Sequence, residues 1–185
     1  TATVSGGSVT DPTPANNSAT DNTSITCGVP PVANGNNSGA GSLRQAILDA
    51  CPGDTITFAP GVTVVNGNNY FIDKNLTING GTGVTIDGGM GGRAFAIPPG
   101  ATVSLVSLTI QRATLGSADV GFVISNSGNL TLTNCTISNN LGQTAARAAI
   151  ITSGPLTLLN TTVSHNPSNV DPSALEISGT PTVVL

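Results

Sequence analysis

The chain has 185 residues, of which 8% are charged, 3% aromatic and 38% apolar, and its formal net charge at pH 7 is −4. Its basic residues, Arg44, Lys74, Arg93, Arg112 and Arg147, are dispersed, so the basic stripe that displaces counterions from a nucleic acid is missing. No apolar run approaches the ~20 residues that cross a bilayer, and the Val, Ile and Leu content is too high for a disordered chain.

Residues 1–26 (TATVSGGSVTDPTPANNSATDNTSIT) form a polar, Pro/Asn/Thr-rich stretch nearly free of core residues. No signal peptide stands before it, and Thr1 reads as a processed start or a boundary. Such a stretch does not offset its own ordering entropy. It is expected as an extended, strand-like segment docked on its own β-domain or on a neighbour.

Residues 27–53 are expected to be a loop followed by a capping helix. In GSLRQAILDAC (41–51), Ser42 stands as N-cap with Gln45 three residues on, a capping box. Leu43, Ala46, Ile47 and Ala50 then fall on one apolar face, and Pro52-Gly53 ends the helix. A helix this short does not stand alone, so its apolar face must cover something. Cys27 and Cys51 flank the segment, whereas Cys135 lies in a distant repeat. Without CxxC and with a single histidine, a zinc site is not indicated. Few lysines with abundant Thr, Asn and Gly fit an extracellular setting, where disulfides persist. Cys27 is expected to bond Cys51, with Cys135 reduced in the core.

From Asp54 to residue 185 the period becomes that of strands. NLTLTNCTISNN (129–140) recurs as PLTLLNTTVSHN (155–166) at an offset of 26, and TVSLVSLTIQRA (102–113) is an earlier copy at 27. Short strands precede each unit at FAIPPG, FVISNSG, AIITSG and LEISGT. Stacking the copies aligns Val103 with Leu130 and Leu156, Leu105 with Leu132 and Leu158, Leu108 with Cys135 and Thr161, and Ile110 with Ile137 and Val163. Thr, Ser and Asn lie between them, so the strands alternate in and out. Asn134 over Asn160 and Asn140 over Asn166 repeat at the strand ends, where stacked amides hold corners. TITF (55–58), YFI (70–72), LTI (76–78) and VTI (84–86) fit less regularly. The pattern predicts an all-β, right-handed parallel β-helix of about five to six coils beginning near Thr55, a body on the order of 25–30 Å long. A sandwich of hairpins, whose turns would not recur in register, is the rival.

GSLRQAILDACPGDTITF (41–58) resembles the CSLREAI-type motif that opens many secreted β-helix domains of bacterial surface proteins, and the NLTI, VTIDGG, RAF and LTLTNCTISNN segments are similar to that family's running pattern. The resemblance covers about residues 41–170. It implies surface display, adhesion or fibre roles, often without enzymatic activity. Gly41 stands where the motif usually has cysteine, so the resemblance does not supply the disulfide pairing. Residues 1–26 resemble the last strands of immunoglobulin-like repeat modules in giant bacterial surface proteins.

β-Helices also include pectin lyases and polygalacturonases, whose chemistry needs paired carboxylates, or acids for Ca²⁺ beside a base. The acids Asp11, Asp21, Asp49, Asp54, Asp73, Asp87, Asp119, Asp171 and Glu176 do not recur in one column. Asp87 is the strongest of them for chemistry, but it reads better as a turn with Gly88-Gly89 that pairs Arg93. His165 takes the corner position of Asn139 in the preceding copy. Thr109, Thr131, Thr136 and Thr157 face outward, although no T-x-T ladder runs through every coil, which weakens an ice-binding reading. Sequons stand at Asn16, Asn22, Asn36, Asn75, Asn129, Asn134 and Asn160. Asn16, Asn22 and Asn36, in tail and loop, are the acceptors expected to be glycosylated in a suitable host.

The sequence therefore points to a non-enzymatic structural subunit of an extracellular filament or surface fibre, with no metal or cofactor. Its expected partners are copies of itself joined head to tail by strand addition, with neither nucleic acid binding nor membrane insertion. A non-polymerising adhesin with a host-surface or glycan ligand, and a lyase- or hydrolase-like enzyme, are the alternatives. PTVVL (181–185) matches the start of a further coil, which makes Val183, Val184 and Leu185 the expected assembly end and residues 1–26 the expected donor.

Overall fold

Among the residues described by the computed structural model (2–3, 18–19, 28–115, 121–142, 148–167, 173–178 and 182–184), the only helix, α1, spans Leu43–Asp49. Ser42 is its N-cap, and the Ser42 hydroxyl accepts the Gln45 N–H at 3.2 Å. The capping box closes on one side only. The Ser42 N–H is already given to the Gly39 carbonyl, and the Gln45 side chain donates forward to Asp49 Oδ1 at 2.8 Å. At the other end the carbonyls of Leu48 and Ala50 receive Lys74 Nζ at 3.2 and 3.1 Å, a cation where the helix leaves its acceptors unpaired. The predicted apolar face, Leu43, Ala46, Ile47 and Ala50, is buried in the main core with Ile56, Tyr70 and Ile72.

Parallel strands then wind through a nine-stranded and a five-stranded sheet that make three faces, with Thr114–Leu115 and Leu141–Gly142 paired in a further two-stranded parallel sheet. The first face begins at Thr55–Ile56 and continues through the first half of Leu76–Asp87, the first half of Thr102–Gln111, Asn129–Thr133, Leu156–Leu159 and Val183–Val184. The second runs from Val64–Asn66 through the second halves of those two long strands to Thr136–Ser138 and Thr162–Ser164. The third stacks Tyr70–Phe71, Phe95–Ile97, Gly121–Asn126, Ala148–Thr152 and Ser173–Ile177. About four turns carry the chain from Thr55 to Leu156, fewer than the expected five to six coils, and Val183–Val184 pairs on beyond Leu156–Leu159. This is a parallel β-helix, and parallel pairing throughout these three faces excludes the hairpin sandwich.

The inner columns match the repeat alignment. Leu76, Val103, Leu130 and Leu156 pair in register, as do Ile78, Leu105, Leu132 and Leu158, and Ile86, Ile110, Ile137 and Val163. Corners are made by residues in the left-handed region: Ser107, Asn134 and Asn160 between the first and second faces, and Arg112, Asn139 and His165 after the second. His165 thus holds the corner expected of it. At the next corner Gly154 stacks on Gly128 so closely that a Cβ there would fall on the Gly128 carbonyl.

Two features depart from the expected organisation. Leu76–Asp87 is one strand where two were expected, broken only by a register shift between Asn79 and Val84. The run 28–41, expected to be a loop, lies over the first turn as an irregular rung. Val32 bridges Phe58 in parallel and donates its N–H to the Thr57 carbonyl at 2.8 Å, while Asn66 N–H reaches the Gly35 carbonyl at 2.8 Å. Within residues 1–26, the described pieces Ala2–Thr3 and Ser18–Ala19 pair antiparallel with each other.

Candidate functional site

Charged, aromatic and exposed apolar side chains meet where α1 passes the first strand of the third face. Arg44, on the first turn of α1, sets its guanidinium 4.8 Å over the centre of the Tyr70 ring. The same group donates to the Asn68 carbonyl at 2.5 Å, the Asn69 carbonyl at 3.2 Å and the Asn37 amide oxygen at 2.9 Å. Planarity and five donors make this combined stacking and fork suited to arginine alone. Tyr70 is fully buried against Phe95, with ring centroids 5.5 Å apart. Its hydroxyl has no hydrogen-bond partner, and burial pushes its pKa up to about 12, the Arg44 charge opposing.

Beside this stack a cavity of about 250 Å³ opens between α1 and the strand, lined by Arg44, Ile47, Leu48, Phe71, Asp73 and Lys74 among others. Leu48 is 65% exposed and Phe71 58% exposed. Both project apolar surface into water at one end of the stack.

At the opposite end the inner columns open. Leu132, Ile137 and Ile150 are buried, but their successors Leu158, Val163 and Leu175 are half-exposed. Thr152 is buried, and Ile177 in the same column is 51% exposed. Of the residues expected to form the assembly end, Val183 and Val184 pair with Leu156 and Thr157. Val184 therefore continues an outward column and is exposed. Leu185 lies outside the described residues.

The remaining candidates fall into structural positions. Asp87 makes the expected turn by accepting the Gly89 N–H at 2.9 Å, but its ion pair is with Arg112 at 3.2 Å instead of the expected Arg93. The reason is lateral stacking: Asp87 pairs with Gln111 of the next rung, which places its carboxylate at the Arg112 corner. Asp49 and Asp54 serve Gln45 and the Cys51 N–H. Asp11, Asp21, Asp119 and Asp171 lie outside the described residues, among which no group of three or more His, Cys, Asp or Glu could hold a metal ion.

Cys135 is free and buried, its thiol donating to the Leu105 and Thr133 carbonyls, and burial raises its pKa. Cys51 is half-exposed beyond the end of α1, and Cys27 lies outside the described residues, as do Asn16 and Asn22. Asn36 is exposed, its N–H bound to the Asn34 side chain.

The register also aligns outward hydroxyls in columns that a T-x-T search misses. Thr85, Thr109, Thr136 and Thr162 form one, and Thr55, Thr77, Ser104, Thr131 and Thr157 another. The positions beside the latter are Asn79, Val106, Thr133 and Leu159, so no T-x-T pair repeats. The arrangement around α1 had no periodic signal, since Arg44 meets residues 24 and 25 positions away. One local cue existed: in the consecutive Tyr70-Phe71-Ile72, strand alternation must turn one large apolar side chain outward.

No protein-family model matches the chain, and comparison with characterised proteins and with solved structures returns no significant match.

Proposed function

We propose that the chain is a structural segment of an extracellular filament or surface fibre, whose copies join head to tail by adding strands to one another's β-helix. The observation that carries this reading is the opening of the inner columns at Leu158, Val163, Leu175 and Ile177, while the other end of the core lies under α1. An apolar cross-section flanked by strand edges is a template for another rung. A rung from a second copy offers the same side chains at the same spacing, because each turn of a solenoid contacts only its neighbours.

The neutral hydroxyl columns along the shaft suit a rod with its specific contacts at the ends. Composition and the resemblance of residues 41–58 to the opening of secreted β-helices support an extracellular setting. A Cys27–Cys51 bridge belongs to the same proposal. Val29 and Pro30 lie beside Ala46 and Asp49 of α1, so the chain entering at residue 28 runs along the helix that ends before Cys51. Closing a loop of this length contributes roughly 3 kcal/mol if unstrained. Non-reducing peptide mapping that linked Cys135 to either cysteine would overturn the pairing.

Electron microscopy and sedimentation of the native chain test assembly, with filaments expected; separate rods at all concentrations would leave a non-polymerising surface module instead. Deleting residues 1–26 tests the donor role, and the truncated chain is expected to fold without polymerising. Normal assembly of the truncated chain would exclude donation by residues 1–26 and leave stacking of coil ends.

A further inference from the structure

We infer that the cavity between α1 and the Tyr70-Phe71-Ile72-Asp73 run binds one neutral sugar ring, a pyranose, through Phe71, Leu48 and Asp73. The site stands independently of filament assembly and gives the rod a ligand on its flank.

Side chains along this run alternate. Tyr70 and Ile72 are buried in the core, whereas Phe71 and Asp73 are exposed and line the cavity. Ile47 and Leu48 line it from α1. Among the described residues, Leu48 and Phe71 are the two most exposed large apolar side chains, at 65% and 58%. Single exposed apolar residues are ordinary on a protein surface, but these two share one concave site.

The ligand class follows from what the polar groups have left to give. The Arg44 guanidinium lies over the Tyr70 ring and donates to the carbonyls of Asn37, Asn68 and Asn69 and to Asn37 Oδ1. Lys74 gives two of its three N–H groups to the Leu48 and Ala50 carbonyls. Asp73 makes no hydrogen bond or ion pair among the described residues. An anionic ligand would therefore meet a free carboxylate while the neighbouring cations are already engaged. A cationic ligand would come between Arg44 and Lys74. A wholly apolar ligand would take Asp73 out of water without a partner, which is costly.

What remains is a neutral molecule with hydroxyl donors on one edge and a hydrocarbon face. A pyranose has both. Its adjacent hydroxyls donate to the two carboxylate oxygens of Asp73, and its C–H face packs on the Phe71 ring and Leu48. The third Lys74 N–H is left for a sugar oxygen. The cavity, about 250 Å³, lies below the range of roughly 300–1,000 Å³ that encloses drug-sized ligands, so it takes a single ring with the rest of a glycan outside.

The test titrates the full, isotope-labelled chain with the methyl glycosides of galactose, glucose, mannose and N-acetylglucosamine, read by amide NMR shifts. At least one glycoside is expected to move the Leu48, Phe71 and Asp73 amides saturably, with a Kd on the order of 1 mM. Phe71→Ala and Asp73→Ala, both at exposed sites, are expected to keep the native circular dichroism and each to weaken that binding about tenfold, or about 1.4 kcal/mol. Asp73→Asn keeps one acceptor oxygen and is expected to lose less than Asp73→Ala. Failure of all four glycosides to move these amides would overturn the site, and so would full affinity in the folded Phe71→Ala and Asp73→Ala chains. Acetate and tetramethylammonium probe the two charged classes, and tighter binding of either at the same amides would overturn the sugar assignment.

Discussion

Asn140 offers the sharpest test of what holds the coils in register. Its side chain is buried and fully used: Oδ1 accepts the Ala113 N–H at 2.8 Å, and Nδ2 lies 3.1 Å from the Ile110 carbonyl, 3.0 Å from that of Ser138 and 2.8 Å from Asn166 Oδ1. Asn140→Ala strands the Ala113 donor and the Ile110 acceptor in the interior, away from water. Each buried polar group left unsatisfied costs about 1–3 kcal/mol, so the substitution is expected to cost about 3 kcal/mol in all. With a urea dependence of about 2 kcal/mol per molar, the unfolding midpoint falls by roughly 1.5 M. Asn129→Ala, at an exposed strand start, is the control and is expected to stay within about 0.5 kcal/mol. Asn140→Asp keeps the acceptor for Ala113 but turns the donor side into an anion facing three oxygens, so it is expected to be at least as damaging at neutral pH and less so in acid. A loss below about 1 kcal/mol for Asn140→Ala would refute a structural role for the ladder.

Tyr70→Phe is expected to be neutral or stabilising at pH 7, because the hydroxyl it removes is buried without a partner. The native chain is expected to hold its stability below about pH 10 and to lose about 3 kcal/mol as pH rises from 10 to about 12, since the unfolded tyrosine ionises first; alkaline urea titrations in which both chains lose stability alike would exclude Tyr70 as the cause. Ile47→Asp buries an uncompensated charge under the end of the core and is expected to cost about 3–5 kcal/mol, and an unchanged thermal melt would show that α1 does not cap the coil. Cys135 is expected to resist thiol reagents at pH 8 until the chain unfolds, given its burial and raised pKa; labelling of the folded chain at the rate of a free thiol would contradict its place in the core.

The body of the β-helix was legible because its repeat is regular. Offsets of 26 and 27 put chemically similar residues in the same column, and hydrogen-bonded registers such as Leu105–Leu132–Leu158 follow them without a slip. Stacked amides were legible for the same reason: Asn140 bonds Asn166, and Asn160 bonds Asn134. The early turns were harder to read. There the corner after the second face carries Gly88-Gly89 and Met90 in place of an Asn, and the insertion at 79–83 shifts the register. Residues 28–41 pair through one bridge and a few carbonyls, with no alternation to betray a rung. The groove beside α1 joins residues from separate elements, so spacing could not reveal it. The helix that forms its wall and the unbroken Tyr70-Phe71-Ile72 run were both visible, but their meeting is a property of the fold.

The contrast between the two ends bears on what kind of fibre such a chain could make. In a solenoid, turn-to-turn contact normally involves every face, and that is what makes the shaft stiff. At the starting end the 28–41 run and α1 cover the first and second faces and the core, whereas at the far end Leu158, Val163 and Leu175 are half-exposed. Under the donor reading, residues 1–26 of a neighbour add the strands that cover this far end, and their main-chain hydrogen bonds would set the register of the joint. Deleting 1–26 is then expected to leave folded chains that form no filaments, and filaments of unchanged persistence length in micrographs of the truncated chain would exclude that donation.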